Sequence, residues 1–333
     1  MNGLTPFKLV PAFQDYLWGG RRLVEEFHKT PDAERYPAGT PIAESWECST
    51  HPDGVSACES EGTGTLTHYL RAHPGALGTH PSTLPGELPV LIKLIDAAKP
   101  LSVQVHPDDD YARAHENGSL GKTEMWYVID AAPGAKLVYG LTRTLTREEL
   151  TQIVRQGKIE RYLQEVPVHK GDVFFIPAGT VHAIGEGIVV YEVQQSSNLT
   201  YRLFDYHRRD KDGKERALHI DKALDVMNLQ GSPAPRQKLR ALRYKKGCAQ
   251  ELLCRCKYFQ VERILVNTKE LPEGAPFETN DNSFAVLTCT EGQGRLTAED
   301  VAIDFQRGDS VFVPASCAGL ALHGAAELLL TTC

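Results

Sequence analysis

The sequence predicts a mainly β protein built from two related β-barrels, with a small helical insertion in the first. Short runs rich in Val, Ile, Leu, Phe and Tyr alternate with Gly and Pro along the chain, a spacing typical of sandwiches and barrels. One eight-residue segment occurs twice. The stretch of chain that precedes this segment is longer in the first copy, and the extra length contains helical signals.

The repeated segment has the form of a turn followed by a buried strand. Residues 171–178 read GDVFFIPA and residues 308–315 read GDSVFVPA. Each copy begins with a Gly-Asp turn, continues as an apolar strand and ends at proline, which cannot donate a ladder hydrogen bond. The strands upstream also match when Gly134 is paired with Gly292. The chain therefore contains a duplicated β unit.

The two copies differ in length between the paired glycine and the Gly-Asp turn, which are 37 residues apart in the first copy and 16 in the second. Helical signals occupy the difference, so residues of about 144–166 are predicted to be an insertion. Thr146 and Glu149 fit a capping box, and a second short helical turn follows Gly157. A further helix is predicted over residues 66–73.

The domain boundary is predicted from a run of Gly, Ser and Pro. A chain of 333 residues has enough material for about two domains. Residues 231–235 read as a linker, which gives a first domain over 1–230 and a second over 236–333.

Composition excludes several classes of partner. Lys plus Arg number 36 and Asp plus Glu number 43, so a net charge of −7 offers no general basic field for nucleic acid or an anionic membrane. No apolar run approaches the roughly 18–20 residues of a membrane span, and the first residues lack the order of a signal peptide. The eight cysteines are scattered without a CxxC and are predicted to be reduced thiols. We therefore expect a cytoplasmic protein, and the sequence leaves its oligomeric state open.

Four residues of metal-ligand type stand near predicted strand ends in the first copy: Gln104, His106, Glu124 and His182. Gln104 and His106 share one face of a strand because side chains alternate. His182 follows a Pro-Gly turn. Taken singly, each residue has an ordinary structural interpretation, such as an ion pair between Glu124 and the nearby Lys122.

The second copy lacks this set. Gly319 stands where the first copy has His182, and Asn282, counted back from the paired glycines, stands where it has Glu124. Two imidazoles, a carboxylate and an amide oxygen suit a borderline divalent ion such as Zn²⁺, with a position left for water or substrate. We therefore expect one metal ion per chain. The acidic run 108–110 is instead interpreted as a polar turn or helix start.

Several segments carry a resemblance to a known family. The pattern G-x5-P-x-G-x2-H over 171–182 resembles the second cupin motif, without the Asn that usually ends it. More specific are the segments LIKLIDA (91–97), LSVQVHP (101–107), GKTEMWY (121–127) and NLTYR (198–202), together with Trp18-Gly19-Gly20 and Glu44-Ser45-Trp46-Glu47. Over residues of about 7–226 the chain resembles the type I mannose-6-phosphate isomerases, in their short bacterial form.

This resemblance implies two cupin-type (jelly-roll) β-barrels in tandem. It implies a zinc-dependent aldose–ketose isomerase that interconverts D-mannose 6-phosphate and D-fructose 6-phosphate through an enediol or enediolate, with a sugar phosphate as its small-molecule partner. Carried over by motif, the zinc ligands are the same four residues. The resemblance further implies Arg202 as the active-site arginine and a substrate pocket lined by Ser102, Lys122, Lys93 and Glu192.

The chemistry of such an isomerase requires a base and a cation that holds the developing oxyanion. Glu192, Glu47 and Lys122 are the candidates for the proton carrier. Arg202 suits a charge-clamping role, because a guanidinium rarely gives up its proton. Lys93 interrupts an apolar run and should face a polar pocket. Lys93, Lys122 and Arg202 are where this acidic chain is expected to concentrate positive charge.

Two other functions are considered. A sugar-phosphate sensor would keep the barrel and the metal without turnover, but the complete set of Glu124, Arg202 and Lys122 argues against it. A cupin metalloenzyme acting on another substrate, such as an oxygenase with redox iron, is disfavoured by the Gln and Glu among the ligands. Metal analysis combined with a coupled isomerase assay discriminates among the three.

Overall fold

The computed structural model describes residues 4–59, 64–80, 86–209, 212–232, 235, 237–299 and 301–333. Over these residues the chain is mainly β with few helices, which confirms the predicted fold class. The predicted linker lies partly outside the described residues, since Pro233 and Ala234 are not among them. The boundary at 231–235 therefore stays a prediction.

The described elements are short strands joined by turns, with five α-helices and two 3₁₀ turns. The first thirteen strands are β1 (Phe7–Val10), β2 (Ala12–Gln14), β3 (Glu44–Cys48), β4 (Ala57–Cys58), β5 (Val90–Ala97), β6 (Val103–Val105), β7 (Glu124–Ala131), β8 (Lys136–Leu141), β9 (Leu163–Pro167), β10 (Val173–Ile176), β11 (His182–Ala183), β12 (Ile188–Gln195) and β13 (Tyr201–Phe204). The other eight are β14 (Arg243–Lys245), β15 (Cys248–Arg255), β16 (Gln260–Asn267), β17 (Ala275–Phe277), β18 (Ala285–Ala298), β19 (Val301–Gln306), β20 (Ser310–Val313) and β21 (Leu320–Thr332). The helices are α1 (Arg22–Glu25), α2 (Leu66–Ala72), α3 (Asp109–His115), α4 (Arg147–Arg155) and α5 (Ile220–Val226), and the 3₁₀ turns are Pro74–Leu77 and Ile159–Tyr162.

Two sheets form the first barrel. One has six strands in the order β10-β7-β12-β5-β3-β2, and the other has five in the order β13-β6-β11-β8-β9. Every residue of β5 and β12 is buried, because the six-stranded sheet has the barrel interior on one face and the second barrel on the other. Apolar side chains such as Trp126, Phe174 and Ile188 fill one part of the interior. The remainder is polar.

Ten strands form the second sheet system, in which β18 and β21 pair along most of their length. The first part of β18 also pairs with β20 and its last part with β19, while β21 pairs in turn with β17 and β16. The two long strands thus pass through both layers of a barrel. Its interior is apolar, with Ile264, Leu287, Phe305 and Leu328 among the buried residues.

The strand register confirms the duplicated unit but corrects one equivalence. In the first barrel Ile176 lies opposite Glu124, and in the second Val313 lies opposite Ala285. Ile176 and Val313 occupy the same place in the repeated segment, so the counterpart of Glu124 is Ala285 and the expectation of Asn282 was wrong. The error arose because Gly134 lies in a turn after β7 whereas its assumed partner lies inside β18.

The helical predictions are confirmed. Thr146 caps α4 in a reciprocal capping box with Glu149, and the 3₁₀ turn Ile159–Tyr162 follows. Both lie between β8 and β9, where the duplicated unit predicts the insertion. The helix predicted over 66–73 is α2, with Thr65 as its N-cap. No described helix is long and apolar enough to cross a membrane, and none of the eight cysteines, all of them described, forms a disulfide.

A buried ionic contact joins the two barrels. Strand β1, which precedes the strands of the first barrel in the sequence, pairs with β20 and so belongs to the sheet of the second barrel. Beside it, Lys29 Nζ lies 2.7 Å from Glu47 Oε1 and also donates to the carbonyl of Gly308. Ser310 Oγ donates to Glu47 Oε2 at 2.8 Å. Since Glu47 is fully buried, these groups satisfy a charge that could not otherwise lie there.

We predict that Glu47→Ala lowers the free energy of unfolding by about 3–5 kcal/mol, because it leaves the Lys29 ammonium buried without its counter-charge. Glu165→Ala is the control, since Glu165 pairs with Lys136 at the surface and should cost less than about 1 kcal/mol. Urea denaturation measures both. Equal losses in the two variants would contradict this role for Glu47.

Candidate metal and substrate site

The site lies where the two sheets of the first barrel face each other away from the apolar interior. Across the five-stranded sheet, Gln104 is paired with His182 on one side and with Arg202 on the other. Directly paired residues share a face, so this row of three side chains points into the barrel. The six-stranded sheet contributes Glu124 from the start of β7.

Three of the predicted ligands are brought together. Ligand atoms of His106, Glu124 and His182 all lie within 4.8 Å of one another, and each of the three residues is 1% exposed. His106 Nε2 is 3.2 Å from Glu124 Oε1, and His182 Nε2 is 3.6 Å from Glu124 Oε2. Gln104 belongs to the same row by register, and its Oε1 accepts a hydrogen bond from Ser102 Oγ at 3.2 Å.

Backbone carbonyls orient both imidazoles. His106 Nδ1 lies 2.8 Å from the carbonyl oxygen of Leu199, and His182 Nδ1 lies 2.8 Å from that of Thr180. A ring nitrogen that donates to a carbonyl leaves the other nitrogen, Nε2, as an acceptor. In both residues that Nε2 is directed at Glu124, so the two rings present lone pairs to one point.

The electrostatics of the site keep the ligands in their metal-binding forms. Burial lowers the pKa of His106 to about 3, aided by the Lys122 charge, and burial also lowers the pKa of His182. Burial alone would raise the pKa of the Glu124 carboxyl, but Lys122 and His106 hold it well below its usual range. Neutral imidazoles and an ionised carboxylate are the forms that bind metal.

The donor set fits a divalent metal ion. Glu124 Oε2 and His182 Nε2 have no hydrogen-bond partner among the described residues, whereas Glu124 Oε1 is paired with Lys122 Nζ. Buried polar atoms are normally satisfied, so unpartnered atoms aimed at one point indicate a missing ligand. Two imidazole nitrogens, a carboxylate and a nearby amide oxygen are a zinc-type set.

Lys122 lies against this cluster. Its Nζ is 2.7 Å from Glu124 Oε1 and 3.4 Å from His106 Nε2. Its backbone N–H donates to the carbonyl of Pro107 at 3.0 Å, which ties the loop before β7 to the loop after β6. The same contact thus holds Glu124 and His106 in their relative positions.

Lys93 faces the same interior, as the sequence predicts, but it is paired. A row of opposed residues across four strands reads Trp126, Glu192, Lys93 and Trp46. Lys93 Nζ lies 3.3 Å from both Glu192 Oε1 and Glu44 Oε2. Burial would lower the pKa of Lys93, but the two carboxylates raise it above its usual value. Lys93 therefore neutralises a buried acidic pair.

Of the two carboxylates that pair with Lys93, the sequence predicted Glu192 as a site residue but not Glu44. Glu192 accepts a hydrogen bond from Trp126 Nε1 at 2.8 Å, and burial together with Glu124 raises its pKa. Sequence reasoning missed Glu44, which accepts from Trp46 Nε1 at 2.6 Å. Alternation along β3 could have found it, because Glu44 and Trp46 are two residues apart. The same alternation places Glu47 on the opposite face, away from the site.

Arg202 lies at the open side of the site. It is partly exposed, and its buried Nε has no hydrogen-bond partner among the described residues. The neighbouring Arg208 and Arg216 are both engaged by the carboxylate of Asp205. Of the three cations expected to bind anions, Lys93 and Lys122 have carboxylate partners, which leaves Arg202 as the guanidinium positioned to take a new anion.

The acidic run after His106 is structural, as predicted. Asp108 is the N-cap of α3, accepting from the N–H of Tyr111 at 2.9 Å. Asp109 accepts from Gly121 N and from Tyr258 Oη of the second barrel. These residues hold the loops around the site and lie outside its donor set.

Fold and site together define a protein of the cupin class, and its described residues contain one group of donors that could hold a metal ion. Residues 6–134 match the family described as phosphomannose isomerase type I, catalytic domain, and residues 250–333 match the mannose-6-phosphate isomerase cupin domain. The chain is 36% identical to mannose-6-phosphate isomerase ManA of Bacillus subtilis and 35% identical to that of Streptococcus mutans, covering 98% and 97% of each chain respectively. The chain belongs to the type I phosphomannose isomerase family.

Solved structures agree with this assignment. The mannose 6-phosphate isomerase of Bacillus subtilis superposes with a TM-score of 0.87 at 30% identity, covering 98% of this chain and 99% of that one. A zinc-bound mannose 6-phosphate isomerase superposes with a TM-score of 0.77 at 18% identity, over 98% of this chain and 99% of that one, which shows a shared fold.

We predict that His182→Ala abolishes stoichiometric zinc binding, because it removes one of three buried donors. His169→Ala is the matched control, since His169 is 82% exposed and should leave zinc content unchanged. Inductively coupled plasma mass spectrometry of zinc-loaded, desalted protein measures both.

Gly319→His should not create a second metal site, because the surroundings of Gly319 lack the other donors. Two zinc ions per chain in the unaltered protein would contradict a single site.

We also predict a pH-dependent effect of Asp205→Asn. Burial would raise the pKa of Asp205, but hydrogen bonds from Arg216 and Arg208 lower it below the model-compound value of 3.8. The ionised group therefore stabilises the fold above pH of about 4, and that contribution is lost as the pH falls through the lowered pKa. At pH 7 the variant should be less stable by about 2 kcal/mol. The difference should shrink below pH of about 4 in urea titrations, and a constant difference would contradict this origin.

Proposed function

We propose that this chain interconverts D-mannose 6-phosphate and D-fructose 6-phosphate, with one Zn²⁺ per chain held by His106, Glu124, His182 and Gln104. One observation carries the proposal: three buried donors converge on the same barrel interior as the Arg202 guanidinium, which forms no ion pair with any described carboxylate. The family assignment supports it, because the similar proteins of Bacillus subtilis and Streptococcus mutans bear this activity in their names.

Bound zinc would polarise the substrate carbonyl and stabilise negative charge that develops on its oxygen. Gln104 lies between His182 and Arg202 in the row across the five-stranded sheet, so a metal held by these donors would have Arg202 on the same face of the sheet. The apolar packing behind them limits access of water from the other end of the barrel.

Substrate recognition is assigned to Arg202, Ser102, Lys122, Lys93 and Glu192. Arg202 binds the phosphate, since guanidinium geometry matches phosphate oxygens and its Nε is unsatisfied. Its catalytic contribution is electrostatic. Ser102 orients Gln104 through its hydroxyl. Lys93 holds the two inner carboxylates in place through its ion pairs with Glu44 and Glu192.

Moving the carbonyl between C1 and C2 passes through an enediol or enediolate and requires a group that carries a proton between the two carbons. Glu47 is excluded, because Lys29 and Ser310 hold it on the far face of the sheet. Lys122 and Glu192 are the two candidates that lie in the site. The raised pKa of Glu192 brings it closer to neutral pH, where a proton carrier is most effective.

We further propose that the first barrel carries the activity and that the second, over 236–333, is a scaffold. The counterparts of Glu124 and His182 are Ala285 and Gly319, and the second interior is filled with apolar side chains. A cytoplasmic location is part of the same proposal, because eight scattered cysteines without a CxxC are not the pattern of a disulfide scaffold.

We predict that the purified protein converts mannose 6-phosphate to fructose 6-phosphate in a coupled assay, that a chelator abolishes the activity and that Zn²⁺ restores it. No turnover by the zinc-loaded protein would overturn the proposal and would favour a sugar-phosphate sensor instead.

Arg202→Ala should lower kcat/KM by about 100-fold, the order expected for loss of one charge-stabilising group, while zinc content stays at one per chain. Arg209→Ala is the control, because Arg209 is 66% exposed in the following segment and should keep wild-type kinetics. Steady-state kinetics and metal analysis are run on the same preparations. Wild-type kcat/KM in Arg202→Ala would remove Arg202 from the site.

A further inference from the structure

A second cavity lies between the two barrels, away from the donor set. It has a volume of about 1160 Å³ and is bounded by β10, by residues 237–241 and by β15. Four basic residues line it: Lys238, Arg240, Arg243 and Arg255. Among its described lining residues there is no Asp or Glu. The described lining of the cavity is therefore positively charged, although the chain as a whole has a net charge of −7.

Three of the four cations have no carboxylate partner among the described residues. Lys238, Arg243 and Arg255 form no ion pair with any described carboxylate. Arg240 is the exception: its Nη2 donates to the carbonyl of Gly171 at 2.9 Å, and its Nε lies 3.7 Å from Glu251 Oε1 in an ion pair that Glu251 shares with Arg263. Like charges that share a concave, partly apolar surface repel one another and raise the local concentration of anions.

Apolar side chains also line the cavity. Three of the nine exposed large apolar side chains in the described part of the chain line it, namely Phe175, Leu239 and Leu252. The hydroxyl of Tyr139 donates to the carbonyl of Phe175 at 2.9 Å, which fixes the strand that carries the ring. A ligand that paired only with the cations would leave these apolar side chains in water.

We propose that the cavity binds a nucleoside diphosphate or a closely related organic polyphosphate. The phosphates lie against Lys238, Arg240, Arg243 and Arg255, and the planar base packs against Phe175 and Leu239. Ligand pockets usually have volumes of about 300–1,000 Å³, so the cavity has ample room for a molecule of this size. Charge complementarity and the exposed ring at one cavity are the observations that carry the proposal.

The test is isothermal titration of the zinc-loaded chain with ADP and, separately, with inorganic pyrophosphate. The double variant Arg243→Gln/Arg255→Gln removes two lining cations, and Arg113→Gln/Arg155→Gln removes two exposed arginines elsewhere as a charge-matched control. We expect ADP to bind the unaltered chain and the control with equal affinity. Its Kd should rise at least 10-fold in the double variant, and pyrophosphate should bind at least 10-fold more weakly than ADP.

Two further measurements keep the result interpretable. The double variant should retain the isomerase activity of the unaltered chain without ADP, which shows that it folds; if it does not, the single variant Lys238→Gln replaces it. Arg202→Ala should keep full affinity for ADP, because Arg202 does not line this cavity.

Four results would overturn the proposal. These are no ADP binding at millimolar concentration, equal ADP affinity in the double variant, and loss of ADP binding in Arg202→Ala, which would place the nucleotide in the isomerase site. The fourth is pyrophosphate binding as tightly as ADP, which would refute the nucleoside class. If ADP does not bind and the double variant alters the sedimentation coefficient, the cavity is an interface between copies of the chain. Failure of the isomerase assay would leave these binding results unaffected.

Discussion

The first barrel holds a buried charge, the carboxylate of Glu124, and the loops around it must supply the groups that stabilise this charge. Burial opposes its ionisation, and the ammonium of Lys122 together with the imidazoles of His106 and His182 reverses that tendency. A charge of this kind is tolerated inside a protein only when it is fully surrounded by counter-charges and donors. The loops that carry these partners are accordingly fastened to one another by backbone hydrogen bonds, among them Lys122 N to Pro107 O and Gly179 N to His106 O.

The second barrel supports this arrangement from behind. Its sheet covers the outer face of the six-stranded sheet, so that β5 and β12 are buried on both faces and cannot shift in register without burying the wrong side chains. Strand register determines which side chains are neighbours in the site, because it pairs Gln104 with His182 and Lys93 with Glu192. The same framework with Ala285 in place of Glu124 has an apolar interior. We propose that one copy of the duplicated unit carries the chemistry, and that the other fixes the strand pairing on which that chemistry depends.

Much of this could be predicted from local patterns. The capping box at Thr146 fixes a helix start, and the repeated Gly-Asp turn places β10 and β20, where Gly171 and Gly308 adopt positive φ of 88° and 97°. Alternation put Gln104 and His106 on one face, and spacing with the family resemblance supplied Glu124 and His182. These features depend on a few neighbouring residues.

Features that depend on residues far apart in the sequence could not be predicted from local patterns. The counterpart of Glu124 depends on strand register, which a count from glycines does not determine when one glycine lies in a turn and the other inside a strand. The pairing of β1 with β20 joins residues about 300 positions apart, and no local pattern in β1 specifies it. Lys93 was correctly expected in a polar interior, but its neutralisation by Glu44 and Glu192 arises from three strands that meet only in the folded sheet.

The most direct test of this account is an anomalous-scattering map at the zinc edge from crystals of the zinc-loaded chain. The account predicts one peak per chain, bounded by His106 Nε2, His182 Nε2, the Glu124 carboxylate and Gln104 Oε1. A peak bounded by other residues, a second peak in the barrel over 236–333, or no peak in active protein would contradict it.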